Sequence, residues 1–170
     1  MKLVILPGFS PINRGWAQEL AQIMERQFNP VDVIEYQHWQ LGGGLKLAQE
    51  LDKLDKENQQ QPIEMVMAKS VGVYVAMEAV KRRVITPRTG VFMGTTKKSA
   101  PRLKEWSLPT LLIQESKDPL LSFAALNKYT VKMKPEQSKL VEVEGNRHAY
   151  EDIERIGIEI EKFMTECKLT

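Results

Sequence analysis

Short apolar runs alternate along almost the whole chain with segments whose apolar residues recur every three or four positions. A run of about four to eight apolar residues is typical of a strand buried on both faces, and the wider spacing is typical of an amphipathic helix. The predicted strands are 3–6, 31–34, 63–67, 89–93, 110–113 and 140–143. This alternation predicts an α/β protein with a doubly wound, mostly parallel, six-stranded sheet and helices on both faces.

The segments between these runs predict the helices. Their apolar positions lie within 16–28, 47–54, 70–81, 121–129 and 153–164. Segment 70–81 is apolar nearly all round, so we expect a central helix that is covered on several sides. The polar stretch 57–61, which precedes Pro62, predicts a loop between a helix and a strand.

Length and composition exclude several classes of protein. The 170 residues, 19.5 kDa, predict one domain over residues 1–170. The 24 Lys and Arg against 22 Asp and Glu give a net charge of +2, which argues against nucleic-acid binding. A single cysteine, Cys167, and two histidines predict no disulfide framework and no metal site, and a reducing, cytoplasmic location fits best. The first apolar run is too short for a secretory signal, and no stretch has the length of a membrane span.

A ligand of such a sheet is expected beyond the carboxyl ends of its strands. The loops that follow the predicted strands begin at Pro7, Tyr36, Ala68, Gly94, Glu115 and Gly145. At the third of them a strand passes directly into a helix through Ser70, with the small residues Ala68 and Gly72 two positions before and after it. This is the form of a nucleophile elbow, although Ser70 could also cap the helix.

The later loops supply an acid and a histidine. Asp118 follows the fifth strand and His148 the sixth, so both are expected at the same sheet edge as Ser70. Serine needs a base to become a good nucleophile, and the base needs a carboxylate to orient it. Each residue also has a local interpretation, since Asp118 before Pro119 fits a helix N-cap and His148 could be an exposed loop residue. The conjunction of all three favours catalysis.

The chain resembles the α/β-hydrolase superfamily in the elbow Ala68–Gly72 and in the chain order Ser, Asp, His. The resemblance implies that Ser70 is the nucleophile, His148 the general base and Asp118 the orienting acid, with Glu115 as a reserve acid. The chain also departs from the superfamily pattern, because Ala68 stands where glycine is usual, Pro7 stands where many members have histidine, and the usual leading hairpin is absent. The loop from Pro7 to Ser10 resembles the oxyanion loop, so the backbone N–H groups of Val71 and of Phe9 or Ser10 are expected to bind the oxyanion.

The resemblance further implies that Gly8, Trp39 and Lys69 contact the substrate, and that His38 is a rim residue. Many members insert a lid at the position of residues 94–108, and this segment is too short for one. An open site suits a small ester or thioester and needs no cofactor. Acyl transfer, peptide hydrolysis and a catalytically silent, ligand-binding protein stay open as alternatives, and the sequence leaves the oligomeric state open.

Three other patterns in the sequence indicate no separate function. Lys69-Ser70 could end a phosphate-binding loop, but that motif requires glycines directly before the lysine and five residues further back. This chain has Ala68 and Ile63 at those positions. The glycines at 42–44 more simply provide a flexible entry to a helix. Several cations fall in loops at the same sheet edge: Lys69, Lys97, Lys98, Lys117 and Arg147. A solvated cationic rim is favoured over recruitment of an anionic substrate, because lysines are common on surfaces and water screens exposed charges.

Overall fold

A computed structural model describes residues 1–133 and 138–167. Within them, one six-stranded sheet has the order β2-β1-β3-β4-β5-β6, and every neighbouring pair of strands is parallel. The strands are β1 Lys2–Leu6, β2 Val31–Val33, β3 Ile63–Lys69, β4 Thr89–Met93, β5 Thr110–Glu115 and β6 Ser138–Val143. The predicted fold class and all six predicted strands are therefore confirmed.

Helices cover both faces of the sheet. They are α1 Asn13–Met24, α2 His38–Leu41, α3 Leu47–Gln60, α4 Val71–Lys81, α5 Phe123–Thr130 and α6 Ile153–Glu166, with a 3-10 helix at Ala100–Glu105. Alternate strand residues point to opposite faces. Leu3 and Ile5 pack with α1 and α6, whereas Val4 and Leu6 pack with α3, α4 and α5. None of the helices in the described part of the chain has the length and apolar character needed to span a lipid bilayer.

The expectation that every strand is buried on both faces is wrong at the sheet edges. The central strands β1, β4 and β5 are buried along their whole length. The edge strands β2 and β6 consist mostly of partly exposed residues. The helices that cover the centre of the sheet extend only partly over its two edges.

The predicted loop at 57–61 is also wrong, because α3 continues to Gln60. Polar residues of its last turns find partners elsewhere in the fold. The Lys2 ammonium donates to the Glu57 carbonyl and carboxylate, each at 3.0 Å. The Asn58 side chain accepts from the Ile63 N–H at 2.9 Å. These contacts stabilise a helical end that carries no apolar signal in the sequence.

Candidate active site

Ser70 occupies the sharp turn between β3 and α4. Its backbone has φ 56° and ψ −115°, outside the regions that residues other than glycine prefer. Its N–H donates to the Met93 carbonyl of β4 at 2.9 Å, which ties the turn to the neighbouring strand. The Ser70 side chain makes no capping hydrogen bond to α4, so the alternative role as a helix cap does not hold.

Close packing of α4 against β1 depends on Gly72. A Cβ atom at this position would lie 2.2 Å from the Leu6 carbonyl oxygen, far inside van der Waals contact. The small residue expected two positions after the serine is therefore required by the approach of the helix to the strand. This approach brings the start of α4 next to the loop that follows β1.

His148 and Asp118 form a direct pair. His148 Nδ1 lies 2.6 Å from Asp118 Oδ2, although the two residues follow different strands. The Tyr150 hydroxyl donates to the same oxygen at 2.8 Å, and Asp118 Oδ1 accepts from the Leu120 and Leu121 N–H groups at 2.8 and 3.3 Å. His148 Nε2 is buried and has no hydrogen-bond partner among the described residues. The structure therefore pairs His148 with Asp118 but places no hydrogen bond between His148 Nε2 and the Ser70 hydroxyl.

Asp118 is 3% exposed, and its surroundings favour the ionised form. Burial pushes the pKa of Asp118 upwards, but the hydrogen bonds from His148 and Tyr150 outweigh burial and hold this pKa below its ordinary value. The alternative role of Asp118 as a helix N-cap does not hold, because α5 begins later and its cap is Ser122, whose hydroxyl accepts from the Ala125 N–H at 3.3 Å. One Asp118 oxygen orders the turn and the other faces His148.

Glu115, expected as a reserve acid, has a different role. Its buried carboxyl group accepts four backbone N–H groups, from residues 147, 148, 149 and 150, at 2.7 to 2.9 Å. Its own N–H donates to the Tyr150 hydroxyl at 3.1 Å. Both carboxyl oxygens are engaged, so Glu115 organises the loop that carries His148. This interaction and the Tyr150 contact were not predicted, since no local pattern links Glu115 to residues more than thirty positions later.

Lys69 is buried beside the turn instead of lying at a solvated rim. Its ammonium donates to the Ala149 carbonyl at 2.7 Å and lies 4.7 Å from the centroid of the Trp16 ring. Burial lowers the pKa of Lys69 to about 8, against the opposing effect of the nearby Glu115 and Asp118 carboxylates. Lys69 therefore links β3 to the loop that carries His148.

One cavity of about 600 Å³ joins the turn, the histidine and the loop after β1. Its lining includes Ser70, His148, Lys69 and the predicted oxyanion-loop residues Gly8, Phe9 and Ser10. Its other lining residues are Ile12, Asn13, Trp16, Glu19, Arg147, Ala149, Glu151 and Ile153. Val71 is the first residue of α4, so its N–H has no acceptor within the helix.

The residues after β2 lie behind the loop that follows β1, which the sequence predicts to be the oxyanion loop. His38 is buried and stacks on the Phe9 ring with 4.5 Å between centroids, which corrects its prediction as a rim residue. Trp39 is half-buried, and its indole donates to the Phe9 carbonyl at 2.8 Å. Trp39 is not among the residues that line the cavity in the described structure, so it contacts the loop and not the cavity itself.

The charges around the cavity are balanced. Lys69 and Arg147 line it together with Glu19 and Glu151. The other loop cations, Lys97, Lys98 and Lys117, are exposed and lie outside its lining. This distribution agrees with the favoured interpretation of these three lysines as solvated. Within residues 1–133 and 138–167, no group of His, Cys, Asp and Glu side chains is arranged to hold a metal ion.

The chain matches no family model and no curated protein. It is similar in structure to a member of the α/β hydrolase superfamily from Xanthomonas campestris pv. campestris, with a TM-score of 0.72, 14% identity and coverage of 96% of this chain and 98% of that one. It is similar to Est1E of Butyrivibrio proteoclasticus, solved with ferulic acid bound, with a TM-score of 0.72, 14% identity and coverage of 99% and 90%. It is also similar to YbtT, a type II thioesterase of the yersiniabactin pathway, with a TM-score of 0.62, 13% identity and coverage of 97% and 92%. The chain has the α/β-hydrolase fold, as its sequence predicts.

Proposed function

We propose that this protein is a serine hydrolase that cleaves a small ester or thioester through an acyl-enzyme on Ser70. The observation that carries the proposal is the 2.6 Å contact between His148 Nδ1 and Asp118 Oδ2. The other ring nitrogen, His148 Nε2, has no hydrogen-bond partner among the described residues, and His148 lines the same cavity as Ser70. A neutral imidazole oriented by a carboxylate is the base that a serine nucleophile requires.

In the proposed acylation step, His148 Nε2 accepts the Ser70 hydroxyl proton as the serine oxygen attacks the substrate carbonyl carbon. The carbonyl oxygen becomes an oxyanion, which the Val71 N–H and an N–H of the loop after β1 stabilise. The bond to the alcohol or thiol then breaks, and this leaving group takes the proton from His148. Asp118 stabilises the positive charge that His148 carries between these events.

Deacylation uses the same residues. Water attacks the acyl carbon while His148 Nε2 accepts its proton, and collapse of the second oxyanion returns that proton to the Ser70 oxygen. The products are a carboxylic acid and the regenerated enzyme. YbtT is a thioesterase and Est1E binds ferulic acid, so acyl thioesters and aromatic esters are the first substrates to test.

The test is labelling with a fluorophosphonate, followed by intact mass and identification of the modified peptide. We expect one adduct, on Ser70, and its loss in Ser70→Ala and in His148→Ala. Hydrolysis of p-nitrophenyl esters and acyl thioesters should fall on the order of 10⁴-fold or more in Ser70→Ala, because the nucleophile acts as a unit with its base. Ser107→Ala removes an exposed serine and is the matched control.

A well-folded Ser70→Ala protein that still turns over esters would contradict the mechanism. Absence of an adduct on the folded wild-type protein would instead favour a catalytically silent protein that binds a ligand in the cavity. Circular dichroism of each variant distinguishes loss of chemistry from loss of fold.

A further inference from the structure

Two aromatic side chains of α2 hold the oxyanion loop from behind. His38 Nε2 lies 2.7 Å and the Trp39 indole nitrogen 2.8 Å from the same atom, the Phe9 carbonyl oxygen. A carbonyl oxygen only accepts hydrogen bonds, so both nitrogens act as donors and His38 carries its proton on Nε2. We refer to His38 and Trp39 as the positioning pair.

Ring contacts hold the positioning pair in place. The His38 ring stacks between the rings of Phe9 and Tyr36, with centroid distances of 4.5 and 5.6 Å. The Trp39 ring packs edge-on against Tyr36 at 5.5 Å. Tyr36 is fully buried, and its hydroxyl donates to the Pro7 carbonyl at 2.9 Å. The donors that meet the Phe9 carbonyl are therefore presented from a packed aromatic group.

The direction of one carbonyl determines the direction of the next N–H. The Phe9–Ser10 peptide is trans, so its C=O and N–H point in opposite directions. The Phe9 carbonyl points towards the positioning pair, whose residues are not among those that line the cavity in the described structure. Phe9 and Ser10 both line the cavity, so the contacts to the Phe9 carbonyl hold the part of the loop that faces it.

We infer that His38 and Trp39 are positioning residues that orient the Phe9–Ser10 peptide and so preorganise the loop whose N–H groups stabilise the oxyanion beside the Val71 N–H. The inference rests on the proposed function and deepens it, because it names the residues that hold this loop in place. An N–H group that is already oriented stabilises the oxyanion without reorganising during the reaction, and such preorganisation is a large part of catalysis by serine hydrolases.

The test uses His38→Phe, Trp39→Phe and the double variant, since phenylalanine keeps a ring but removes the N–H donor. We measure kcat, KM and the inhibition constant of a trifluoromethyl ketone, which forms a tetrahedral oxyanion adduct on the active serine. Each single variant should lose about 3- to 10-fold in kcat, because one donor still holds the carbonyl, and the double variant on the order of 100-fold. KM should stay within about 3-fold, and the inhibition constant should rise in proportion to the loss of kcat/KM.

The control is Trp106→Phe, which removes an indole N–H that donates to Thr110 Oγ1, at a site outside the cavity lining. It should leave all three constants unchanged. A folded double variant that keeps the wild-type inhibition constant overturns the inference, as does a loss confined to KM. If the double variant does not fold, Trp39→Phe decides in the same way, because Trp39 is only half-buried.

The inference and the proposed function fail differently. A wild-type protein that forms no fluorophosphonate adduct at Ser70 refutes the proposed function, and this inference with it. A wild-type protein that is labelled and active, together with variants that bind the trifluoromethyl ketone as tightly, refutes the inference alone.

Discussion

Glu115 shows how one buried side chain can determine the conformation of a loop. Its carboxyl group accepts hydrogen bonds from four consecutive N–H groups, residues 147 to 150, and this stretch includes His148. His148 and Tyr150 both have positive φ values, 61° and 59°, which residues other than glycine rarely adopt. The hydrogen bonds to Glu115 offset the cost of these conformations. The loop geometry is thus a consequence of a residue on β5.

We expect Glu115→Gln to destabilise the protein by about 2–4 kcal/mol, because the amide NH₂ would face N–H donors and leave them unpaired. We expect kcat to fall about tenfold or more, since His148 would lose its position. Urea denaturation and ester hydrolysis measure the two effects. Glu142→Gln is the control, because Glu142 is exposed on β6 and its loss should change stability by less than about 0.5 kcal/mol. Equal effects of the two substitutions would contradict this role of Glu115.

At the scale of elements, the candidate site depends on how α4 meets β1. The first turn of α4 carries Gly72, and the Leu6 carbonyl lies where a larger residue would place its Cβ. Ser70, Val71 and the proposed oxyanion loop therefore share one edge only because a helix and a strand pack without a side chain between them. The same close contact sets the distance between the proposed oxyanion donors.

Gly72→Ala should destabilise the protein by about 2 kcal/mol or more, because either α4 or β1 must move to accommodate the methyl group. Proposed esterase activity should fall with it. Gly15→Ala is the matched control, since Gly15 is exposed on α1 with no atom within 4 Å of the added Cβ. This change should raise stability by a few tenths to about 1 kcal/mol, through helix propensity. Thermal unfolding of both variants measures the contrast, and a destabilised Gly15→Ala or a neutral Gly72→Ala would refute the explanation.

At the scale of the whole molecule, buried Lys69 makes stability depend on pH. Burial lowers the pKa of Lys69 to about 8 in the folded protein, from an ordinary value of 10.5. Between these two values the unfolded chain binds more protons than the folded one, so the free energy of unfolding rises with pH. Below pH 8 the desolvation of the buried ammonium reduces stability in full.

Comparison with Lys69→Met isolates this effect, because the other titratable groups are common to both proteins. From pH 7 to pH 10 the wild-type protein should gain about 2 kcal/mol relative to the variant, measured by urea denaturation at each pH. Lys97→Met, which removes an exposed lysine, should show no such difference. Parallel curves for the wild type and Lys69→Met would show that burial does not perturb Lys69.

Some features of the structure could be predicted from the sequence and others could not. The unpredicted features depend on contacts between residues that are far apart in the sequence. The end of α3 at Gln60 depends on Lys2, and the role of Glu115 depends on residues about thirty positions later. His38 and Trp39 meet Phe9 across a similar separation. None of these partners leaves a periodic or spaced signal in the sequence, because each side chain has an equally reasonable local role.

Local patterns along the chain were enough to predict the α/β class, the six strands and the placement of Ser70, Asp118 and His148 in loops at one sheet edge. Apolar periodicity is a local property, and parallel strands bring their carboxyl ends together whatever the loops contain. The folded chain was needed to show that Asp118 contacts His148, that Glu115 orders the histidine loop and that Lys69 is buried. Side-chain contacts of this kind depend on packing across strands that are remote in sequence, and this packing exists only in the folded chain.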